Sequence, residues 1–272
     1  MILGDEFCYI RMPRTASGTV SRTLNELGFG NKAVRSHSGL FELDEETNDK
    51  VGKVLSFGTV RNAWDWYISY VRYFTRSPEA FERGLHGWAE SVDEPFCRIA
   101  LRLLGIEPPL SSNPSFFGLP SDYPRPRGAW AVDQMDLTDS GLYTVYQQAA
   151  FFRSNMMFSD TSRALARHDR IIGVDAMVPV EYLYRGLRGV LMSTLDPTSP
   201  EAISRISMLV HRLQERLDDR ANLSPKSIVR WPDDMVPLVT IRDQMAVQRY
   251  GYSGPGTEPC ATLFRFDRLR SR

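Results

Sequence analysis

Two stretches of the chain share one pattern: a short apolar run, a polar break, then apolar residues at helical spacing. Phe7 to Ile10 is the first run, and Arg14-Thr15-Ala16-Ser17-Gly18-Thr19 follows it before a helical segment begins. Val54 to Val60 is the second; after Asn62, a suitable helix cap, Trp64, Tyr67, Ile68, Val71 and Phe74 recur on one helical face. These patterns predict βα units over about 7–30 and 54–76. Between them, 31–53 reads as a polar connection containing His37, with Asp44-Glu45-Glu46 as a solvated helix start. Further helices are predicted over Pro95–Gly105, Ser140–Phe158, Val180–Met192, Pro200–Asp219 and Pro232–Tyr250, and a strand over Arg170–Val174. Six prolines between Pro108 and Gly128 forbid regular structure there. Few strands among many helices predict an α/β fold: a small parallel sheet flanked by helices, with a helix-rich C-terminal half. One domain is expected over 1–252, followed by a Gly/Pro-rich and then arginine-rich tail over 253–272.

Composition narrows the picture. A chain of 272 residues buries a sizeable core, and its 33 basic and 33 acidic residues cancel. That balance argues against a general nucleic-acid or polybasic membrane partner. No run reaches the roughly 18–20 apolar residues of a membrane span, and Met1 to Glu6 has no signal-peptide pattern. Cys8, Cys97 and Cys260 are widely spaced and show no zinc-ligand spacing. The expectation is a cytoplasmic protein that binds no metal.

The two strand-to-helix turns carry the chemistry. A helix N-terminus offers unsatisfied N–H groups and the positive dipole end to an anion. Arg14, Thr15, Ser17 and Thr19 would add side-chain donors. The loop lacks both the Walker spacing and the dinucleotide glycine fingerprint, and all four lysines lie elsewhere, so Arg14 must supply the fixed charge. Arg61 stands at the mouth of the second turn, with Ser69 two turns into the following helix. Ligands of open α/β sheets bind beyond the carboxyl ends of strands, so two arginine-bearing turns suit two anionic groups.

Pro13-Arg14-Thr15-Ala16-Ser17-Gly18-Thr19 resembles the 5′-phosphosulfate loop of sulfotransferases, and Thr59-Val60-Arg61-Asn62-Ala63-Trp64-Asp65 with Ser69-Tyr70 resembles the 3′-phosphate element of the same family. Weaker similarities follow in family order: Arg170 to Asp175 with Tyr182-Leu183, Asn222-Leu223-Ser224, and Arg249-Tyr250-Gly251-Tyr252. The resemblance implies a P-loop-like sulfotransferase fold using 3′-phosphoadenosine 5′-phosphosulfate as donor and releasing 3′-phosphoadenosine 5′-phosphate. It implies that Arg14 and the segment Thr15, Ala16, Ser17, Gly18, Thr19 and Val20 hold the phosphosulfate, and that Arg61 and Ser69 hold the 3′-phosphate. The acceptor would be a small molecule or carbohydrate. His37, in Arg35-Ser36-His37-Ser38, falls where the family often places a histidine near the acceptor, making it the candidate base beside Arg14; Asp44 is the fallback.

Departures from the family pattern have chemical meaning. Arg14 replaces the usual lysine; it grips oxygens but does not readily give up a proton. Gly18, Ala63 and Trp66 also differ from the common residues. Trp64 at its helical spacing reads as core, while stacking of Trp64 or Trp66 on adenine is the alternative. Two other functions stay open: a non-catalytic nucleotide-binding descendant of the fold, and a phosphatase using the Cys8-x5-Arg14 spacing, although Cys8 inside an apolar run reads as buried.

Overall fold

The structure is a computed structural model and describes residues 1–29, 32–33, 39–40, 43, 45–117, 140–151, 173–196, 198–221 and 229–266. Its strands are β1 (Ile2–Leu3), β2 (Phe7–Ile10), β3 (Lys32–Ala33), β4 (Leu55–Val60), β5 (Ala176–Pro179) and β6 (Phe264–Arg265). They form one sheet in the order β3-β1-β2-β4-β5-β6. The helices are α1 (Ser17–Glu26), α2 (Glu45–Lys53), α3 (Ala63–Phe74), α4 (Pro78–Gly84), α5 (Phe96–Leu103), α6 (Leu142–Phe151), α7 (Leu183–Met192), α8 (Pro200–Ala221), α9 (Val236–Arg242) and α10 (Gln244–Tyr250).

The α/β architecture matches the expectation, but the sheet is mixed. β2, β4 and β5 pair in parallel at the centre; the β3–β1, β1–β2 and β5–β6 pairings are antiparallel. The parallel strands are joined by long crossovers, whereas β1 returns into β2 through Gly4-Asp5-Glu6, a link short enough to force antiparallel pairing. Alternation along the strands divides the core between the two faces. Phe7, Tyr9, Phe57, Ala176 and Val178 pack with α1, α7 and α8; Cys8, Ile10, Val60 and Met177 pack with α3, α5, α6, α9 and α10. Gly58 admits α6, since a Cβ there would lie 2.3 Å from the Phe151 ring.

Three boundaries differ from the sequence reading. The strand expected over Arg170–Val174 begins at Ala176; Asp175 precedes it and accepts from the Ser56 N–H and hydroxyl at 2.6 and 2.9 Å. The expected single helix over Pro232–Tyr250 is two helices, α9 and α10, broken at Asp243. The expected tail does not begin at 253: β6 pairs with β5, and Gly254 and Thr257 bond Asn62 at the start of α3. Of the predicted Ser140–Phe158 helix, Leu142–Phe151 is helical, and residues 152–172 lie outside the described ones.

The break at Asp243 has a visible cause. Its buried carboxylate turns to the first turn of α6, accepting from the Thr144 N–H and hydroxyl at 2.8 and 2.7 Å and from the Tyr67 hydroxyl at 2.8 Å. One side chain thereby ties α3, α6 and the α9–α10 corner. Burial raises the Asp243 pKa from the ordinary 3.8 to about 6, against the hydrogen bonds that lower it.

A raised folded-state pKa means that between about pH 4 and 6 the folded chain keeps a proton the unfolded chain has released, so this group's stabilisation declines as pH rises through that window. Asp243→Asn is expected to remove that component, on the order of 3 kcal/mol. Denaturant unfolding of both proteins from pH 4 to 7 checks it: the stability difference between them should change with pH in this direction.

Candidate functional site

The loop between β2 and α1 is held by its own hydroxyls. Thr15 Oγ1 donates to the Met12 carbonyl at 2.9 Å, and Ser17 Oγ donates to the same oxygen at 2.6 Å. Thr15 has one hydroxyl proton, so in its 2.9 Å contact with Thr59 it accepts; Thr59, having donated, accepts in turn from Tyr9 at 3.0 Å. The result is a directed chain, Tyr9 to Thr59 to Thr15 to Met12, buried between β2 and β4. Burial raises the Tyr9 pKa, which keeps its hydroxyl a donor. From the other face, the Trp66 indole N–H donates to the Pro13 carbonyl at 2.8 Å.

The protons of Thr15 and Ser17 therefore close the loop instead of facing a ligand. The backbone supplies the donors left without an internal partner. Arg14 and Ala16 both have left-handed φ, 65° and 57°. Among the described residues, the N–H groups of Thr15, Ala16, Ser17 and Gly18 have no acceptor at hydrogen-bond geometry. Thr19 and Val20 differ: their N–H groups bond the Ala16 carbonyl at 3.0 and 3.1 Å and start the helix ladder. The expected donor run thus ends at Gly18. Consecutive N–H groups around left-handed residues form a concavity suited to an anion.

The second turn lies beside the first, because β2 and β4 pair in parallel, with Ile10 opposite Gly58. Asn62 caps α3 by accepting from the N–H groups of Trp64 and Asp65 at 3.0 and 3.4 Å, and its own amide donates to the Gly254 carbonyl at 2.8 Å. The Asn62 N–H donates to Glu181 at 3.0 Å, and the other Glu181 oxygen accepts from Tyr252 at 2.9 Å. The Tyr143 hydroxyl donates to the Arg61 carbonyl and accepts from its N–H, fixing the backbone from which the Arg61 side chain departs. Burial raises the Asp65 pKa, and the charge of Arg61 works against that rise.

Arg14 links the first turn to α3. Its Nε and one Nη donate to Ser69 Oγ at 3.2 and 3.1 Å, and its guanidinium lies 4.2 Å from the centroid of the Tyr73 ring. The structure thus brings Arg14 to Ser69, and places the Thr15–Gly18 backbone and Arg61 beyond the carboxyl ends of two adjacent strands. His37 and the fallback Asp44 lie outside the described residues, as do Asn222-Leu223-Ser224.

The tryptophans have other work than stacking on adenine. Trp64 and Trp66 are wholly buried; Trp64 donates to the Val236 carbonyl at 3.2 Å. Cys8 is buried within β2, away from solvent and therefore from any phosphate ester, which removes the nucleophile from the phosphatase alternative. Arg11 was absent from the sequence-derived site. Its Nε is buried without a hydrogen-bond partner, burial lowers its pKa, and one Nη lies 3.9 Å from where a Cβ on Gly18 would be. It directly follows β2, and no local pattern in the sequence marked it.

Comparison with protein-family models, curated proteins and solved structures returned no match. Among the described residues, no helix is long and apolar enough to cross a membrane.

The hydroxyl chain sets a test. Thr59→Val keeps the side-chain shape but leaves the buried Tyr9 hydroxyl without its acceptor and Thr15 without its donor. Unfolding free energy is expected to fall by about 1–3 kcal/mol in chemical denaturation, while Ser69→Ala, at a half-buried position, costs less than about 1 kcal/mol.

Proposed function

We propose that this chain is a sulfotransferase that moves the sulfuryl group of 3′-phosphoadenosine 5′-phosphosulfate to an acceptor hydroxyl. One observation carries the reading: Arg14, from the loop whose N–H groups have no internal acceptor, meets Ser69 of the second anion element. An arginine-bearing loop and an arginine-bearing turn that share one strand edge suit a ligand with separated anionic groups.

In this reading the N–H groups of Thr15, Ala16, Ser17 and Gly18 hold the phosphosulfate with Arg14. Arg61 and Ser69 hold the 3′-phosphate. Ser69, already within reach of Arg14, marks the border between the two subsites. Sulfuryl transfer needs in-line geometry and stabilisation of charge on the transferring and leaving oxygens. Fixed N–H donors and a permanent guanidinium meet that need without reorganising. Arg14 holds charge but is a poor proton donor, so protonation of the leaving phosphate is not assigned to it. His37 remains the proposed base for the acceptor hydroxyl. Arg11, beside the first turn of α1, adds a second positive charge behind the loop.

Titration calorimetry with 3′-phosphoadenosine 5′-phosphate tests the assignment. The wild-type chain is expected to bind, and Arg61→Ala and Ser69→Ala to bind at least about tenfold more weakly, the loss of a charge-assisted hydrogen bond. Unchanged affinity in both variants, or no binding by the wild type, overturns the reading. Binding without transfer to any acceptor from labelled donor would favour the non-catalytic alternative.

A further inference from the structure

The first turn of α6 carries Tyr143, whose hydroxyl engages both backbone groups of Arg61. Whatever holds that turn therefore bears on how Arg61 is presented. A helix start leaves its first N–H groups without intrahelical partners. At α6 they are met from outside. The Gly141 N–H donates to the Arg242 carbonyl at 2.9 Å, the Tyr143 N–H to the Tyr67 hydroxyl oxygen at 3.2 Å, and the Thr144 N–H to Asp243 at 2.8 Å. The Thr144 hydroxyl donates to the same carboxylate oxygen at 2.7 Å, and Tyr67 gives its own proton to the other oxygen at 2.8 Å. Asp243 thus caps α6 twice, directly at Thr144 and through Tyr67 at Tyr143. The approach is close: a Cβ on Gly141 would lie 2.5 Å from both an Asp243 oxygen and the Tyr67 hydroxyl.

The charge on Asp243 sets how well this cap works. An ionised carboxylate only accepts, which suits three donors and the positive end of a helix. A protonated carboxyl must donate once. Thr144 fills one oxygen with two bonds, so the proton falls to the oxygen that faces Tyr67. Tyr67 cannot answer by releasing its own proton, because burial, and then the Asp243 charge, hold its pKa well above the usual tyrosine range. Its oxygen would receive the acid proton beside the Tyr143 N–H, and its own proton would lose its acceptor.

Among the described residues, the groups that face Asp243 are Tyr67 from α3, Thr144 from α6 and Arg242 from the same corner. The Arg242 charge favours the ionised form, while its Nε donates to the Leu104 carbonyl at 2.7 Å; burial outweighs these and favours the neutral acid. Asp65 and Glu181 stand by the Arg61 turn itself, so an acid response there is assigned by variants and not by pH alone.

We propose that Asp243 is a positioning residue for the Arg61 turn: ionised, it fixes the first turn of α6 and, through Tyr143, holds Arg61 ready for an anion; protonated, it slackens that hold. The identity of the anion rests on the sulfotransferase reading. The coupling from Asp243 to the Arg61 backbone rests on the hydrogen bonds alone.

Backbone-amide resonances of the isotope-labelled full chain test the coupling without ligand. From about pH 4.5 to 7.5 the Thr144 and Arg61 amides are expected to shift with one shared midpoint at about 6, the value to which burial raises Asp243. Y143F is expected to abolish the Arg61 shift and keep that of Thr144. D243N, which resembles the protonated acid at every pH, is expected to abolish both, and D233N, at an exposed acid ahead of α9, to change neither. In calorimetry with 3′-phosphoadenosine 5′-phosphate at about pH 7.5, D243N is expected to bind about fivefold more weakly than wild type, and D243N/Y143F no more weakly than Y143F alone, the sign of one shared route. The ratio of wild-type to D243N affinity should shrink toward one at about pH 5, a comparison in which the ligand's own titration cancels. An Arg61 amide that does not follow Thr144, an Arg61 midpoint unchanged in D243N (or, should that variant not fold, in Y143F), additive losses in the double variant, or an affinity ratio constant with pH overturns the proposal. Failure of the wild type to bind the nucleotide overturns the donor assignment alone and leaves the amide titration to decide the coupling.

Discussion

Parallel pairing of β2 with β4 is the constraint on which the site depends. Parallel neighbours end on the same edge of a sheet, so the turns that leave them must lie side by side. Residues 14 and 61, distant in sequence, are thereby brought to one edge. The helices that follow then settle the sides. α1 packs on the face of Phe7 and Tyr9, and α3 packs on the face of Ile10 and Val60, so the loop between β2 and α1 crosses from the sheet with α3 exposed to it. Arg14 can reach Ser69 because of this arrangement, and the buried hydroxyls of Tyr9, Thr59 and Thr15 lock the two strands at their ends.

The loop accepts local cost for readiness. Ala16 in a left-handed conformation is about 1–2 kcal/mol less favourable than in the usual regions, and a glycine there would not incur it. Two hydroxyl donors on the Met12 carbonyl and the Trp66 indole on the Pro13 carbonyl offset that strain. What they secure is a fixed set of N–H groups without internal acceptors. A donor array made rigid by packing needs little rearrangement when charge develops against it. The same logic explains Trp66: where a charged residue would suit a ligand, the buried indole instead supports the loop from behind.

Much of the architecture was legible because hydrophobic periodicity reports burial. β2, β4, α3 and α7 follow from runs and stripes that either period produces. The elements that escaped are those whose existence depends on partners far away. β1 and β6 have two residues each, too few to show a period, and form only because a longer strand offers an edge. Asp243 looks like an ordinary polar residue in a helical stretch; only the first turn of α6 and Tyr67 explain why it turns inward and breaks the helix. That Arg14 and Arg61 stand at strand-to-helix turns, with Ser69 in the helix that follows, was readable from the pattern of runs and breaks. The duties of Thr15 and Ser17 were not, since a hydroxyl's direction depends on which carbonyl lies nearest in three dimensions. Arg11 escaped because an arginine at a strand end has no local signature, and its missing partner is a tertiary fact.

Asn62 draws its two carbonyl partners from Gly254 and Thr257, 192 and 195 residues further along the chain. During synthesis the N-terminal strands and α1 leave the ribosome long before those partners exist. The entrance to α3 therefore stays open to water until nearly the whole polypeptide has emerged, and closure over so wide a sequence separation belongs among the late, slow steps of assembly. The turn at Arg61 is therefore completed at the end of folding, and a chain arrested short of Gly254 would carry both strand-end turns while lacking the clasp that completes one of them.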